Sequence, residues 1–341
     1  MFIYFFRHPF ADFDYRAELA ANISKPHYSI PLTGWSHNMA NITLPDAAVL
    51  RMFSTMEVEN ALTCDDSEGR MDQSCPVWDH NIALGVVCAT NHDDAAMQLK
   101  AQLAAGPASL GEPGGYPGEL ARYITPFRRQ LGQWITPATA QMPLLTDPTR
   151  RSCTFSVEQS AGWVNDFKLR FSGSAGADGP APVALTNLFN GGGFSATYND
   201  NRTILVEPPP GLGAAANAEL SFILSGHGTM EFDASTHVFH VNGDAYSWTS
   251  EGVAGTDLGC TTDIRAGRVQ PNEHGTWYTG RNGWCNGADV PVHRHDVTVS
   301  VAKASPVNVT YHAVGPGGEP PGKQGSGEIV LSSVLAWRPR V

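Results

Sequence analysis

The sequence predicts an all-β protein in which many short antiparallel strands pack as sandwiches. Three observations predict it. Apolar and polar residues alternate in short runs, as where Phe167, Leu169 and Phe171 alternate with Lys168 and Arg170. Glycine and proline are abundant, 35 and 24 of 341 residues, which favours turns over long helices. The runs follow one another without the strand–helix–strand alternation of a parallel sheet, which leaves a sandwich or a jelly roll.

Each element can be justified in chain order. Met1–Phe6 is apolar but short. It lacks the basic start and small-residue cleavage site of a signal peptide, so it reads as a buried first strand or the remnant of an export signal, within an extension spanning 1–30. A helix is predicted over Asp94–Ala104 with Asp93 or Asp94 as its N-cap, inside a long excursion from Asn91 to Glu119. The glycine- and proline-rich stretch Gly106–Gly118 reads as a surface loop. The run Ser172–Pro182 is too small and polar to pack a core, and places a linker at 174–182 between a domain over 31–173 and another over 183–341. Beyond it, Leu220–Leu224 and Thr236–Val241 read as strands, the second closed by an Asn242-Gly243 hairpin turn. Val297–Val301 and Val307–Tyr311 read as a further strand pair, and Ile329–Trp337 as the last strand.

Composition narrows the function. With 42% hydrophobic and 16% charged residues the chain can bury a sizeable core. A formal net charge of -11 repels phosphate backbones and argues against nucleic acid as a partner. No apolar run reaches the roughly 18 residues of a membrane span. The cysteines Cys64, Cys75, Cys88, Cys153, Cys260 and Cys285 include no CxxC pair, so zinc-ribbon spacing is absent. Their even number suits disulfides in an oxidising compartment, but six buried thiols would fit the composition equally well.

Three carboxylates lie among aromatics or glycines at strand edges: Asp79 after Trp78, Glu231 before Phe232, and Glu158 after Phe155-Ser156-Val157. A carboxylate against an aromatic wall is desolvated and suited to acid or base work. The histidines invite a metal reading, since His293 and His295 share a strand face, whereas His237 and His240 face opposite ways. Solvated strand histidines are the reading preferred, with no metal site. The most distinctive run, Gly275–Gly287, sets Arg281, Trp277 and Trp284 among glycines beside Cys285. Indole faces stack on sugars, and a fixed arginine donates to oxygens.

At these residues the sequence resembles the peptide:N-glycosidase F family. The resemblance rests on ordered blocks: Cys-x-x-Trp-Asp at Cys75–Asp79, Arg-Tyr-Ile-Thr-Pro at Arg122–Pro126, Leu-Ser-Gly-His-Gly at Leu224–Gly228, the segment Glu231–Asn242, and Gly-Thr-Trp-x-x-x-Arg-x-Gly-Trp-Cys-x-Gly at Gly275–Gly287. It implies two eight-stranded antiparallel jelly-roll β-sandwich domains packed side by side, with the active site in the cleft between them. It also implies an amidase, using no cofactor, that cuts the asparagine–GlcNAc linkage of N-glycosylated proteins and glycopeptides at their chitobiose core.

Carried over by position, Asp79 is implied as the principal catalytic residue, with Glu231 and, through a weaker local match, Glu158. Trp78, His80, His227, Gly228, Phe232, Arg281 and Trp284 are implied as substrate-binding. The pairs Cys64–Cys75 and Cys260–Cys285 match family disulfides. Cys88 and Cys153 have no counterpart there and are expected to pair. The resemblance has departures. Thr229 and Asp233 stand where the family has a cysteine pair, and tryptophans of its sugar cleft appear as His227, Phe232 and Ser160. His80 replaces an arginine, which predicts activity favoured by acid, because imidazole is charged only there. A secreted or periplasmic monomer is expected. Two rivals share the fold: a copper-dependent monooxygenase, which needs convergent histidines, and a glycan-binding module that does not need Asp79.

Overall fold

The computed structural model describes residues 27–64, 75–105, 118–127, 132–158, 162–175, 177, 179–212, 216–265, 269, 276–323, 325 and 327–340. The apolar opening Met1–Phe6, the loop 106–117 and Ser160 lie outside them.

The chain forms four antiparallel sheets in two stacked pairs. The first half contributes β1 (Tyr28–Leu32), β2 (Met39–Thr43), β3 (Thr55–Cys64), β4 (Asn81–Ala89), β5 (Glu119–Ile124), β6 (Gly132–Pro137), β7 (Ser152–Glu158) and β8 (Trp163–Ser172). The second contributes β9 (Ala184–Gly193), β10 (Thr203–Val206), β11 (Asn217–His227), β12 (Thr236–Val241) and β13 (Asp244–Thr249). After the two-residue β14 (Ala288–Asp289) come β15 (Val292–Asp296), β16 (Val307–Val314) and β17 (Glu328–Arg338). One sheet runs β1-β8-β3-β6 and stacks on β14-β5-β4-β7-β2; the other pair is β10-β16-β12-β13 on β15-β11-β17-β9.

Each pair encloses its own apolar core. Val58, Leu84, Phe155, Phe167 and Leu169 fill the first; Leu220, Phe222, Phe239, Tyr311 and Trp337 fill the second. Along β12 burial alternates residue by residue, so the sequence pattern is a solvated face over a core. The hairpin after β12 turns at Asn242 and Gly243, with φ of 47° and 92°, the left-handed pair a tight two-residue hairpin needs. β1 begins at Tyr28, inside the stretch read from sequence as an extension.

The six cysteines form three disulfides, Cys64–Cys75, Cys88–Cys153 and Cys260–Cys285. The second joins residues directly opposite on β4 and β7.

Two sequence expectations are corrected. Val297–Val301 is not a strand: Thr298–Val301 forms a helical turn. Val297, Ser300 and Val301 are buried while Val299 is 75% exposed, a helical spacing of apolar positions where strand alternation was read. The excursion helix spans His92–Ala105 and begins before its expected cap. Asn91 caps it, its Oδ1 accepting from the Asp94 N–H at 2.8 Å, and Asp93 and Asp94 belong to its first turn. Its Ala95 and Leu99 are fully buried, and it packs on β4 and β7. Among the described residues no helix is long and apolar enough to cross a membrane.

The sandwiches are clasped through β14. Although it belongs to the second half of the chain, it pairs with β5 of the first. Asp289 accepts from Thr136 Oγ1 at 2.8 Å, and Ile124, Ile223, Trp284 and Val290 form an apolar cluster across the junction. Arg122 on β5 is bound to Glu119 at 2.7 and 2.8 Å, and reaches across to Ser225 Oγ at 2.7 Å and the Val330 carbonyl at 2.8 Å. Both members of this ion pair are buried, so the clasp costs desolvation that its paired hydrogen bonds must offset.

Candidate active site

Asp79 lies on the irregular segment between Cys75 and β4. The Cys64–Cys75 disulfide fixes one end of that segment. At the other end His80 is tied to Thr125: its N–H donates to Thr125 Oγ1 at 2.9 Å and its carbonyl accepts from the Thr125 N–H at 3.0 Å. Asp79 is half-buried and Trp78 is 69% exposed. Asp79 Oδ2 accepts from Asn286 Nδ2 at 2.8 Å, a hydrogen bond that crosses from the second sandwich to the first.

Asn286 stands in the loop Arg281–Gly287, which the Cys260–Cys285 disulfide pins and which folds back on the end of β11. Glycine permits that approach: a Cβ on Gly226 would fall 2.6 Å from Asn282 Nδ2. The Gly226 N–H donates to the Asn282 carbonyl and the Asn282 N–H to the Glu231 carbonyl, each at 2.8 Å.

This packing buries Arg281 against Glu231. Arg281 Nε donates to Glu231 Oε1 at 3.0 Å. Its remaining donors go to the Thr276 carbonyl at 2.8 Å, the Thr279 carbonyl at 3.0 Å and Thr276 Oγ1 at 2.8 Å. Four of the five guanidinium N–H groups are therefore committed within the protein. The guanidinium also lies over the Trp284 and Phe232 rings, 4.8 and 5.2 Å from their centroids. Burial pushes Glu231 above the usual glutamate range; Arg281 opposes that shift and the Asp79 charge adds to it. Asp79 and the Glu231–Arg281 pair thus interact electrostatically across the junction between the sandwiches.

Trp284 is 5% exposed, and its Nε1 donates to the Gly226 carbonyl at 2.8 Å. It supports the site from beneath, with the His227 ring stacked on it at 5.6 Å. His227 Nε2 is 2.8 Å from Ser225 Oγ and 3.4 Å from Asn81 Nδ2. Burial and the nearby Arg122 cation hold His227 down at about 3, so it is neutral over the working pH range. Gly228, with φ of 63°, turns the chain from His227 toward Glu231. Trp78 is open to solvent, and Phe232 and Tyr278 are each 41% exposed. Glu158 is exposed at the end of β7, opposite Ala83 of β4.

Sequence reasoning missed Asn286, Asn282, Asn81 and Ser225. Asn286 falls at an unspecified position inside the Gly275–Gly287 block, and Ser225 inside Leu224–Gly228. The strand histidines are also corrected: His237 is fully buried. Among the described residues no three His, Cys, Asp or Glu side chains converge as a metal site.

Comparison with known proteins places the fold. The chain is similar to the structure of peptide-N(4)-(N-acetyl-β-D-glucosaminyl)asparagine amidase at 14% identity and a TM-score of 0.59, over 92% of this chain and 97% of that one. A recombinant peptide:N-glycanase F gives 14% identity and 0.55, covering 92% and 96%. PNGF-II gives 12% identity and 0.58 over 92% of this chain, which spans 66% of PNGF-II's length. No curated protein sequence matches. Residues 212–336 match the family model described as peptide-N-glycosidase F, C terminal. The chain has the β-sandwich fold of these peptide:N-glycosidase F structures, and its residues 212–336 carry the sequence signature of that family's C-terminal region.

Proposed function

We propose that this protein is a hydrolase that cleaves the amide bond between asparagine and the first GlcNAc of N-glycosylated proteins and glycopeptides. The observation that carries the reading is the meeting of Asp79 from one sandwich with Glu231 and Arg281 from the other, joined by Asn286, beside the exposed rings of Trp78 and Phe232. Water adds to the side-chain carbonyl, a C–O bond forms, and the C–N bond breaks. Aspartate is left in the peptide, and the intact glycan leaves as a glycosylamine that takes up a proton on nitrogen.

Asp79 positions and deprotonates the water. Glu231 orients the first sugar. Arg281, with so few free donors, positions Glu231 and is a poor candidate for binding the developing oxyanion. Trp78 and Phe232 offer the sugar-stacking faces over a floor of Trp284 and His227. Glu158, opposite Ala83 near the start of β4, is the third acidic residue of this reading.

In this reading the domains divide at 174–182, and the three disulfides suit a secreted or periplasmic monomer. Activity is best below neutrality, with His80 beside Asp79 where the family has an arginine; His227, held down at about 3, stays neutral there. A rate profile that peaks at or above about pH 8 would contradict that part.

The decisive experiment incubates the protein with an N-glycopeptide and reads the products by mass. Conversion of asparagine to aspartate with loss of the whole glycan supports the amidase. Retention of an uncut glycopeptide points to a binding module, and cleavage within the glycan points to different chemistry.

A further inference from the structure

A string of hydrogen bonds runs through the second sandwich to the loop that carries Arg281, and its members have no part in the reaction proposed above. The Tyr198 and Tyr311 hydroxyls meet at 2.9 Å. Tyr311 OH is 2.6 Å from His237 Nδ1, and His237 Nε2 is 2.7 Å from Ser235 Oγ. Ser235 Oγ donates to Asn282 Oδ1 at 3.0 Å. All five side chains are at most 2% exposed.

Counting protons orients the whole string. In the structure Asn282 turns its Oδ1 to Ser235, and with the amide in that orientation the oxygen accepts, Ser235 commits its one proton there and accepts from His237 Nε2. His237 therefore carries its proton on Nε2, and Nδ1 accepts from Tyr311. Tyr311 has then committed its proton, so Tyr198 is the donor to Tyr311. A charged imidazole would donate from both nitrogens and force Tyr311 to reverse. The surroundings oppose that charge. Burial and the Arg202 guanidinium, 4.2 and 5.2 Å from the Tyr198 and Tyr311 ring centroids, push His237 down to about 3, with His293 and His312 adding to the effect. Burial raises both phenols and keeps them protonated donors.

The far end of the string matters because Asn282 follows Arg281 and its backbone bonds both Glu231 and Gly226. Ser250 Oγ also donates to Asn282 Oδ1, at 2.7 Å. An apolar core of the same shape could be as stable as a buried polar string. This one ends on the turn that holds the ion pair of the site. We propose that His237, as the neutral Nε2–H imidazole, is a positioning residue, the middle link of a one-directional buried string that fixes Asn282 and through it the Glu231–Arg281 pair. The proposal rests on the amidase reading only where turnover is measured.

The test is side-chain nitrogen NMR of the whole protein together with kinetics of Tyr311→Phe and Ser235→Ala. In the wild type, His237 is expected to be protonated on Nε2 and bare on Nδ1 across about pH 5–8. Each variant should move the Arg281 Nε–H resonance and lower kcat about tenfold while KM changes less than about twofold. Ser235→Ala keeps the Ser250 bond and is the variant to rely on should Tyr311→Phe fold poorly. His237→Gln, whose amide can still donate to Ser235, should retain more kcat than His237→Leu. A proton on His237 Nδ1, or an Arg281 resonance and kcat unmoved in the variants that fold, overturns the proposal. Should the wild type release no glycan, the amidase reading fails while the NMR arms still decide the string.

Discussion

Asp79 and Glu231 approach one another from opposite sandwiches and are held in opposite ways. Among the described residues Asp79 accepts a single hydrogen bond, and its donor, Asn286, belongs to the other sandwich. Glu231 is locked against a guanidinium that is 2% exposed and bonded on four of its N–H groups. A carboxylate that must handle water needs solvent access and room to adjust. One that orients a sugar can be desolvated and fixed in advance. The contrast also shows that the second sandwich organises both walls, since Asn286 and Arg281 share one disulfide-pinned loop.

The largest effect should come from the adjustable wall. Asp79→Asn is expected to lower glycan release by roughly 10²–10⁴-fold while the fold stays intact, read by product mass and circular dichroism. Near-normal release would remove Asp79 from the mechanism. The contact that holds the walls in register comes next. Arg122→Leu leaves Glu119 buried without its cation, and should cost about 3–5 kcal/mol of stability in urea unfolding. A loss below about 1 kcal/mol would show that β14 and the apolar junction keep the sandwiches together unaided. A smaller effect is expected at the link between the walls. Asn286→Ala should reduce kcat about tenfold through a mispositioned Asp79. Asn286 is fully buried with its Oδ1 unpaired among the described residues, an arrangement stability alone would not favour. Unchanged kcat in this variant would mean that Asp79 is placed by its own segment, and the contrast between the walls would dissolve.

Part of this arrangement was legible in the sequence. Asn242-Gly243 announced a hairpin because a two-residue turn has local chemistry, and alternation along Thr236–Val241 announced a half-solvated strand. Val297–Val301 was misread because Val-Thr-Val-Ser-Val alternates apolar and polar like a strand, and tertiary burial chose a helical turn instead. β14 left no trace, since two residues pairing across half the chain carry no pattern. At the site, Asp79, Glu231 and Arg281 stood out by type and setting, but their burial did not. An indole in a glycine-rich loop reads the same whether it faces a sugar or forms the floor, and Trp284 is the floor. His237 looked like a solvated strand residue because its partner Tyr311 comes within reach only when β12 pairs with β16, and nothing in the sequence marks Ser235, two residues away, as its other partner.

The finest test of the contrast is the acid limb of the rate profile. Burial raises Glu231 and the Asp79 charge raises it further, while Arg281 pulls the other way, and burial leads. If the ionised form orients the sugar, activity falls as pH drops through that raised value, so the limb lies above the ordinary glutamate position. The sign for stability is opposite. A carboxyl with a raised folded value contributes stability that is present below its unfolded value and lost as pH climbs through the folded one. Below that window the protein should therefore lose activity while Glu231 itself adds to stability. Glu231→Gln should flatten the acid limb while leaving the binding of a sugar-free peptide unaffected, read by calorimetry. His227 cannot supply the same limb, because it titrates near 3. An acid limb that stays in place in Glu231→Gln would take Glu231 out of the titration, and with it the idea that its ionised form orients the sugar.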